Sequence, residues 1–192
     1  MNHFFALELS DEARRAVAAV AGEWRRRLRP RAAWYNPADY HITLKFLGDV
    51  PEMRQPELVA AALPVAARDT LLEIRLRGIG VFPNARRPNV LWVGVQDNDT
   101  LKELAAQLDG ALADLGFRRE TRAYVPHVTL ARIRAAHPLG PEDWPDTGER
   151  TFPNFAADHF VLMQTLPPGA RQKGSPVRYN TVHTFPFGNP HS

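Results

Sequence analysis

With 192 residues, 44% of them apolar and 23% charged, the chain can bury a core as one domain or as two small lobes, and it is too apolar for wholesale disorder. The absence of cysteine excludes disulfides, thiol nucleophiles and thiolate metal ligands together. A net charge of +3 rests on 24 basic residues, three of them lysines; arginine, planar and always charged, suits an anionic partner, and the same bias also arises from genome composition.

Residues 4–9, FFALEL, read as a strand. This apolar run is too short for a secretory core and has no basic leader, and no segment approaches the roughly 20 apolar residues that span a bilayer. No membrane partner is expected, and the default address is the cytoplasm. Ser10 reads as an N-cap, with Asp11 and Glu12 at the positive helix end. Ala13, Val17, Val20, Trp24 and Leu28 then recur at helical spacing, and Pro30 stops the pattern. Asn36-Pro37 marks a loop before the stretch YHITLKF at 40–46. Residues 51–67 predict a helix broken or bent by Pro56 and Pro64, and Leu71 to Ile79 a strand.

Residues 90–95, VLWVGV, predict a strand, and Thr100 with Glu103 a capping box for a helix whose leucines run from Leu101 to Leu115, ended by Gly116. The stretch PHVTLAR at 126–132 follows. Leu9 to His41 and Val95 to His127 are equal separations of 32 residues, so strand, helix and His-Thr strand recur at an offset of about 86. The expectation is an α+β fold of two pseudo-symmetric lobes, repeats of about 1–85 and 86–192, forming one bilobal domain. Residues 135–153 read as an irregular connection, followed by strands near Phe155 to Leu166 and Val177 to Phe185 around a Gly/Pro-rich loop at 167–176.

Alternation along a strand puts His41 and Thr43 on one face, and His127 and Thr129 on one face, with the apolar residues between them packing inward. A packing histidine has no need of a same-face threonine in both halves, whereas a site between two matched lobes does. Two imidazoles facing each other suit displacement at phosphorus: one takes a proton from water and the other gives one to the departing oxygen. The threonine hydroxyls can donate to the non-bridging oxygens, and the chemistry needs no metal. Lys45 shares the parity of His41 and could meet substrate phosphate. Arg118, Arg119 and Arg122, and Arg171, Lys173 and Arg178, could track a nucleic-acid backbone or form a solvated rim. Trp34, Tyr40, Phe46 and Tyr124 are candidates for base stacking, with Phe46 at core-facing parity.

YHITLKFLG and PHVTLAR resemble the paired H-x-T signatures of the two-histidine phosphoesterases, and more narrowly of the bacterial and archaeal RNA 2′,3′-cyclic phosphodiesterases, also known as 2′-5′ RNA ligases. HFFALELS and YNTVHTFPF resemble that group's ends. The resemblance implies two lobes, each an antiparallel sheet with helices, around a V-shaped cleft. It implies opening of a terminal 2′,3′-cyclic phosphate of RNA, tRNA fragments among the candidate ends, to a 2′-phosphate, with reversal to 2′-5′ ligation, by a monomer without cofactor. His41 would be the proton donor, His127 the acceptor and Arg132 a phosphate contact, although simple alternation puts Arg132 on the face opposite His127. Where the family has a hydroxyl residue before a leucine-proline stretch, this chain has Met163-Gln164-Thr165-Leu166-Pro167. The alternatives are a phosphoesterase for a small cyclic phosphate of ADP-ribose type, a non-catalytic nucleotide- or RNA-binding module, and a metal hydrolase, for which no carboxylate stands in a ligand pattern beside the histidines.

Overall fold

A computed structural model describes residues 1–28, 32–68, 71–133, 150–167 and 177–188. Pro30, most of the 135–153 connection, and Arg171 and Lys173 of the second loop lie outside them.

The first strand, β1 (Asn2–Glu8), leads into α1 (Asp11–Leu28). Ser10 Oγ accepts the Ala13 amide at 3.2 Å, the expected N-cap, worth about 1 kcal/mol. Ala13, Val17, Val20, Ala21, Trp24 and Leu28 are buried, the stripe read from spacing. The short β2 (Ala32–Trp34) and a 3₁₀ turn capped by Asn36 precede β3 (His41–Asp49). In α2 (Gln55–Ala66) Pro56 starts the helix rather than breaking it, because its missing N–H falls in the first turn where no intrahelical acceptor exists. Pro64 lies inside the same helix.

The expected strand from Leu71 splits into β4 (Leu72–Ile74) and β5 (Leu76–Phe82). Next come β6 (Val90–Val95) and α3 (Asp99–Ala113). Its cap is Asn98, whose side chain accepts the Leu101 amide at 2.9 Å, so α3 begins before the expected Thr100 box. Asn98 wins because its side-chain amide also donates to the Glu73 carbonyl at 2.9 Å. The chain continues through β7 (His127–Ile133), β8 (Phe155–Ala157), β9 (His159–Thr165) and β10 (Tyr179–Pro186).

Among the described residues eight strands form one sheet, β10-β9-β1-β3-β7-β6-β5, with β2 also on β7, while β4 and β8 pair separately. All strand pairs are antiparallel. A pseudo-two-fold relates the sheet halves on either side of the β3–β7 junction. Ala6 opposes Thr43, Leu7 opposes Ile42 and Glu8 opposes His41; 86 positions on, Trp92 opposes Thr129, Val93 opposes Val128 and Gly94 opposes His127. The expected α+β architecture is therefore present, with one refinement. β5 of the first repeat pairs with β6, and β9 of the second pairs with β1, so each repeat sends a late strand into the other's half. The boundary expected near residue 85 falls in the β5–β6 connection.

One sheet face packs on α1, α2 and α3 in a single core containing Phe5, Leu7, Ile42, Val93, Val128, Trp24, Leu58 and Leu108. At roughly 1.5–3 kcal/mol per buried large side chain, this face fixes the strand registers. The other face carries a small cluster of Phe4, Ala6, Val161 and Met163, with Tyr179 against it. That face holds the candidate site.

Candidate active site

Among the described residues β3 and β7 share one register pair, Ile42 with Val128, the middle residues of the two H-x-T motifs. Both are fully buried on the helix face. Their neighbours His41, Thr43, His127 and Thr129 must therefore project from the opposite face, half-buried, in a square about the pseudo-two-fold. Antiparallel pairing sets His41 beside Thr129, and Thr43 beside His127.

Each imidazole is oriented in the same way. His41 Nδ1 donates to the Asp39 carbonyl at 2.7 Å, and His127 Nδ1 donates to the Val125 carbonyl at 2.8 Å. A carbonyl only accepts, so each neutral ring carries its proton on Nδ1 and offers Nε2 to the cleft. The Thr43 hydroxyl lies 3.1 Å from His41 Nε2. Aromatic side chains complete the sockets. Phe4 stacks on His41 at 4.8 Å between ring centroids, with Tyr179 edge-on at 5.3 Å. Phe82 meets His127 edge-on at 5.0 Å, and Trp92 lies 6.2 Å from it. Trp92 lies so close over Gly80 that a Cβ there would fall 2.2 Å from its ring.

Burial pushes the His41 pKa down to about 4, with the neighbouring His127 acting the same way and the Asp39 carbonyl and Glu8 opposing. Burial lowers His127 as well, against its bond to Val125. Both rings are therefore neutral near pH 7. That His127 contributes to the His41 shift places the two within electrostatic reach of one another.

A matching irregularity follows both motifs. Phe5 opposes Lys45 while Ala6 opposes Thr43, so Leu44 is an extra residue, a β-bulge. Likewise Leu91 opposes Ala131 while Trp92 opposes Thr129, so Leu130 is extra. Each bulge reverses the side-chain parity beyond it. Arg132, placed by simple alternation on the far face, thereby joins His127 and Thr129 on the cleft face. Its Nε donates to the Tyr35 hydroxyl at 3.3 Å. The Arg178 guanidinium lies over the same tyrosine ring at 4.7 Å, and the Arg178 amide donates to Asp39 Oδ1 at 2.7 Å. Two arginines thus share one tyrosine beside His41 and Tyr179.

Lys45 requires a correction. The bulge turns it to the helix face, where it is buried, ion-paired with Asp109 of α3 and bonded to the Arg118 carbonyl at 2.8 Å. It does not reach the cleft. The same reversal brings Phe46, expected in the core, to the cleft side at 59% exposure. Tyr124 donates its hydroxyl to the Thr43 carbonyl at 2.9 Å and Tyr40 is buried, so neither presents a free ring for stacking. Arg122 pairs with Glu120. In the C-terminal segment Gln164 turns to Glu52, whereas Thr165 opposes Tyr179 at the end of β9. Sequence reading missed the aromatic sockets, since Phe4, Phe82 and Trp92 belong to ordinary apolar strand patterns. Gly80 and Gly94 were the available signal, because glycine inside a strand marks a close approach.

Comparison with known proteins agrees with this geometry. The family model of the 2′-5′ RNA ligase superfamily matches residues 4–167. The RNA 2′,3′-cyclic phosphodiesterase of Geobacillus stearothermophilus is 33% identical over 191 residues, 97% of this chain and 57% of the relative. That of Methanothermobacter thermautotrophicus is 37% identical over 138 residues, 68% of this chain and 70% of the relative. The chain thus spans little more than half the length of the first of these. A crystal structure of a protein from Thermus thermophilus superposes over the whole of both chains with a TM-score of 0.76 at 26% identity. LigT of E. coli shares the fold, with a TM-score of 0.72 at 22% identity over 97% of each chain. Matched by the family model over most of its length, with both H-x-T motifs inside the match, this chain belongs to the 2′-5′ RNA ligase superfamily.

Proposed function

We propose that the chain is an enzyme that opens the terminal 2′,3′-cyclic phosphate of RNA to a 2′-phosphate, and, with a 5′-hydroxyl in place of water, joins such ends through 2′-5′ linkages. The pairing of Ile42 with Val128 carries this reading, because it sets the two histidines and two threonines around one point. In the proposed reaction His127 Nε2 removes a proton from water as it attacks phosphorus. His41 Nε2 protonates the departing 3′ oxygen from the opposite side. The Thr43 and Thr129 hydroxyls donate to the non-bridging oxygens, and Arg132 supports the same charge. His41 acquires its proton with the substrate: an anionic phosphodiester within about 4–6 Å favours the charged ring and opposes the burial that depresses it.

RNA as the substrate, rather than a small cyclic phosphate, is supported by Arg178 stacked over Tyr35, a further cation next to Arg132 where a second phosphate of a chain would lie. Both histidines come from one chain, so a monomer suffices, and tRNA fragments are among the ends it would accept. Among the described residues no helix is long and apolar enough to cross a membrane. We propose action in the cytoplasm.

The test is turnover of a cyclic-phosphate-ended oligoribonucleotide alongside 2′,3′-cyclic mononucleotides and a cyclic phosphate of ADP-ribose type, with chelator present throughout. The oligonucleotide should gain one water at its end and leave a 2′-phosphate. His41→Ala and His127→Ala should each lose about 10² to 10⁴ in rate while still binding the oligonucleotide. Turnover of the small compounds alone would reject the RNA reading, binding by wild type without turnover would leave a binding module, and loss of activity in chelator would reinstate a metal.

A further inference from the structure

The two motif imidazoles are seated alike, each on the carbonyl two positions before it, but the segments that carry those carbonyls are tied down in different ways. At His127 the tie is backbone: the Val95 amide donates to the Pro126 carbonyl at 3.2 Å, carrying the β6–β7 ladder one step beyond the Gly94–His127 pair. At His41 the β1–β3 ladder ends with the Glu8–His41 pair, where β1 turns off into α1 and β3 is entered from the 3₁₀ turn Pro37–Asp39.

A side chain from the first turn of α1 spans that open end. Arg14 Nη1 donates to the Pro37 carbonyl at 3.3 Å and to the Ala38 carbonyl at 3.2 Å, while its Nη2 donates to the Leu9 carbonyl at 3.1 Å. One guanidinium thus joins the residue after Glu8 to the turn before His41. A helical end leaves its last carbonyls short of donors. Here they are divided: Pro37 and Ala38 go to Arg14, and Asp39 goes to His41 Nδ1. The repeat does not carry this device over to His127, since Thr100 stands 86 positions after Arg14.

We propose that Arg14 is a positioning residue for His41: it fixes the turn whose Asp39 carbonyl takes the Nδ1 proton, and so aims Nε2 at the oxygen that leaves phosphorus. This rests on the function proposed above. Arg14 acts through the turn and touches neither ring nor phosphate. A general acid must meet one particular oxygen, and a displacement of about 1 Å can cost on the order of 10² in rate. Asn36 Oδ1, which accepts the Ala38 amide at 2.9 Å, and Asp39 Oδ1, which accepts the Arg178 amide at 2.7 Å, hold the other edges of the turn. Loss of Arg14 should therefore loosen the seat of His41 without dismantling it.

The experiment compares wild type, Arg14→Ala, Arg14→Lys and the exposed neighbour Arg15→Ala, by turnover of the cyclic-phosphate-ended oligonucleotide and by ¹⁵N NMR of the imidazoles at pH 7 without substrate. Arg14→Ala should lower kcat about tenfold or more and leave KM within about twofold. In its spectra His41 should pass from the Nδ1–H tautomer to a mixture of both, while His127 keeps its own. Arg14→Lys keeps the aliphatic stem and the charge for the fold but has no planar fork to span both segments, and should show the same changes to a lesser degree. Arg15→Ala should match wild type in rate and spectrum. A lowered urea midpoint with kcat and the His41 tautomer unchanged would make Arg14 a structural tie alone and overturn the proposal. Equal mixing of tautomers at His41 and His127, or a loss carried by KM, would overturn it too. If wild type does not open the cyclic end, the proposed function fails, and the His41 tautomer still decides whether Arg14 holds the ring.

Discussion

At the scale of single residues, the two histidines show how burial sets protonation. Both rings leave water for a socket of aromatic carbon, and each donates its Nδ1–H to a carbonyl two positions before it. Burial lowers both pKa values, that of His41 to about 4. In the free enzyme an acid-base pair is competent only between its two pKa values, whichever ring plays which part. The profile of kcat/KM against pH should therefore be bell-shaped with its maximum on the acid side, between about 4 and the ordinary imidazole value near 6.5. The kcat profile should lie at higher pH, because the bound phosphodiester raises both rings. Glu8, opposite His41 in the β1–β3 register, is among the groups that raise the His41 pKa. Glu8→Gln should move the acid limb of kcat/KM to lower pH. A limb that stayed in place, or a flat profile from pH 5 to 9, would count against titration by this pair.

Among elements, the paired bulges decide which side chains the cleft receives, and they mark the limit of what could be read beforehand. The strand-helix-strand repeat, the α1 stripe and the four motif residues were legible, because each rests on spacing within one unbroken element. The bulges were not, since counting alternate faces assumes unbroken alternation, and Leu44 or Leu130 looks like any apolar strand residue until its partner strand is known. Lys45 and Phe46 were misassigned for that one reason, and alternation alone put Arg132 on the wrong face although the family resemblance placed it at the phosphate. The exchange of β5 and β9 between halves was also hidden, because pairing of distant strands leaves no local trace. The consequence can be tested on the two basic residues. Lys45→Met leaves the Asp109 carboxylate mostly buried without its cation, which should cost up to about 3 kcal/mol in chemical denaturation while barely altering kcat/KM. Arg132→Gln should do the reverse, lowering kcat/KM without moving the denaturation midpoint. A Lys45→Met/Asp109→Leu double variant should recover part of the lost stability, since both charges are then gone.

Across the whole molecule, most of the apolar packing lies on one face of the sheet and the candidate site on the other, and the two are linked through protons. The helix-facing core is held mainly by apolar packing, with the Lys45–Asp109 pair beside it, whereas the cleft holds two imidazoles that folding keeps neutral. An unfolded histidine near pKa 6.5 binds a proton that folded His41 refuses until about pH 4, so the unfolded state takes up more protons throughout that window. Stability should accordingly fall as pH drops from about 6.5 to 4, by about 3 kcal/mol from His41 alone, and level off below. His159 has the opposite sign. Its bonds to Asp158 and Glu8 outweigh its burial and raise its pKa, so its contribution is present at low pH and is lost as pH rises through the raised value. The acid loss should dominate, since the His41 displacement is the large one. His41→Leu, which fills the same apolar socket without a proton, should flatten the urea midpoint between pH 6.5 and 4.5 and be the more stable protein at the acid end, while losing the proposed activity. If the variant keeps the wild-type slope, the acid sensitivity comes from other groups, and the cleft histidine is not held neutral at a cost to the fold.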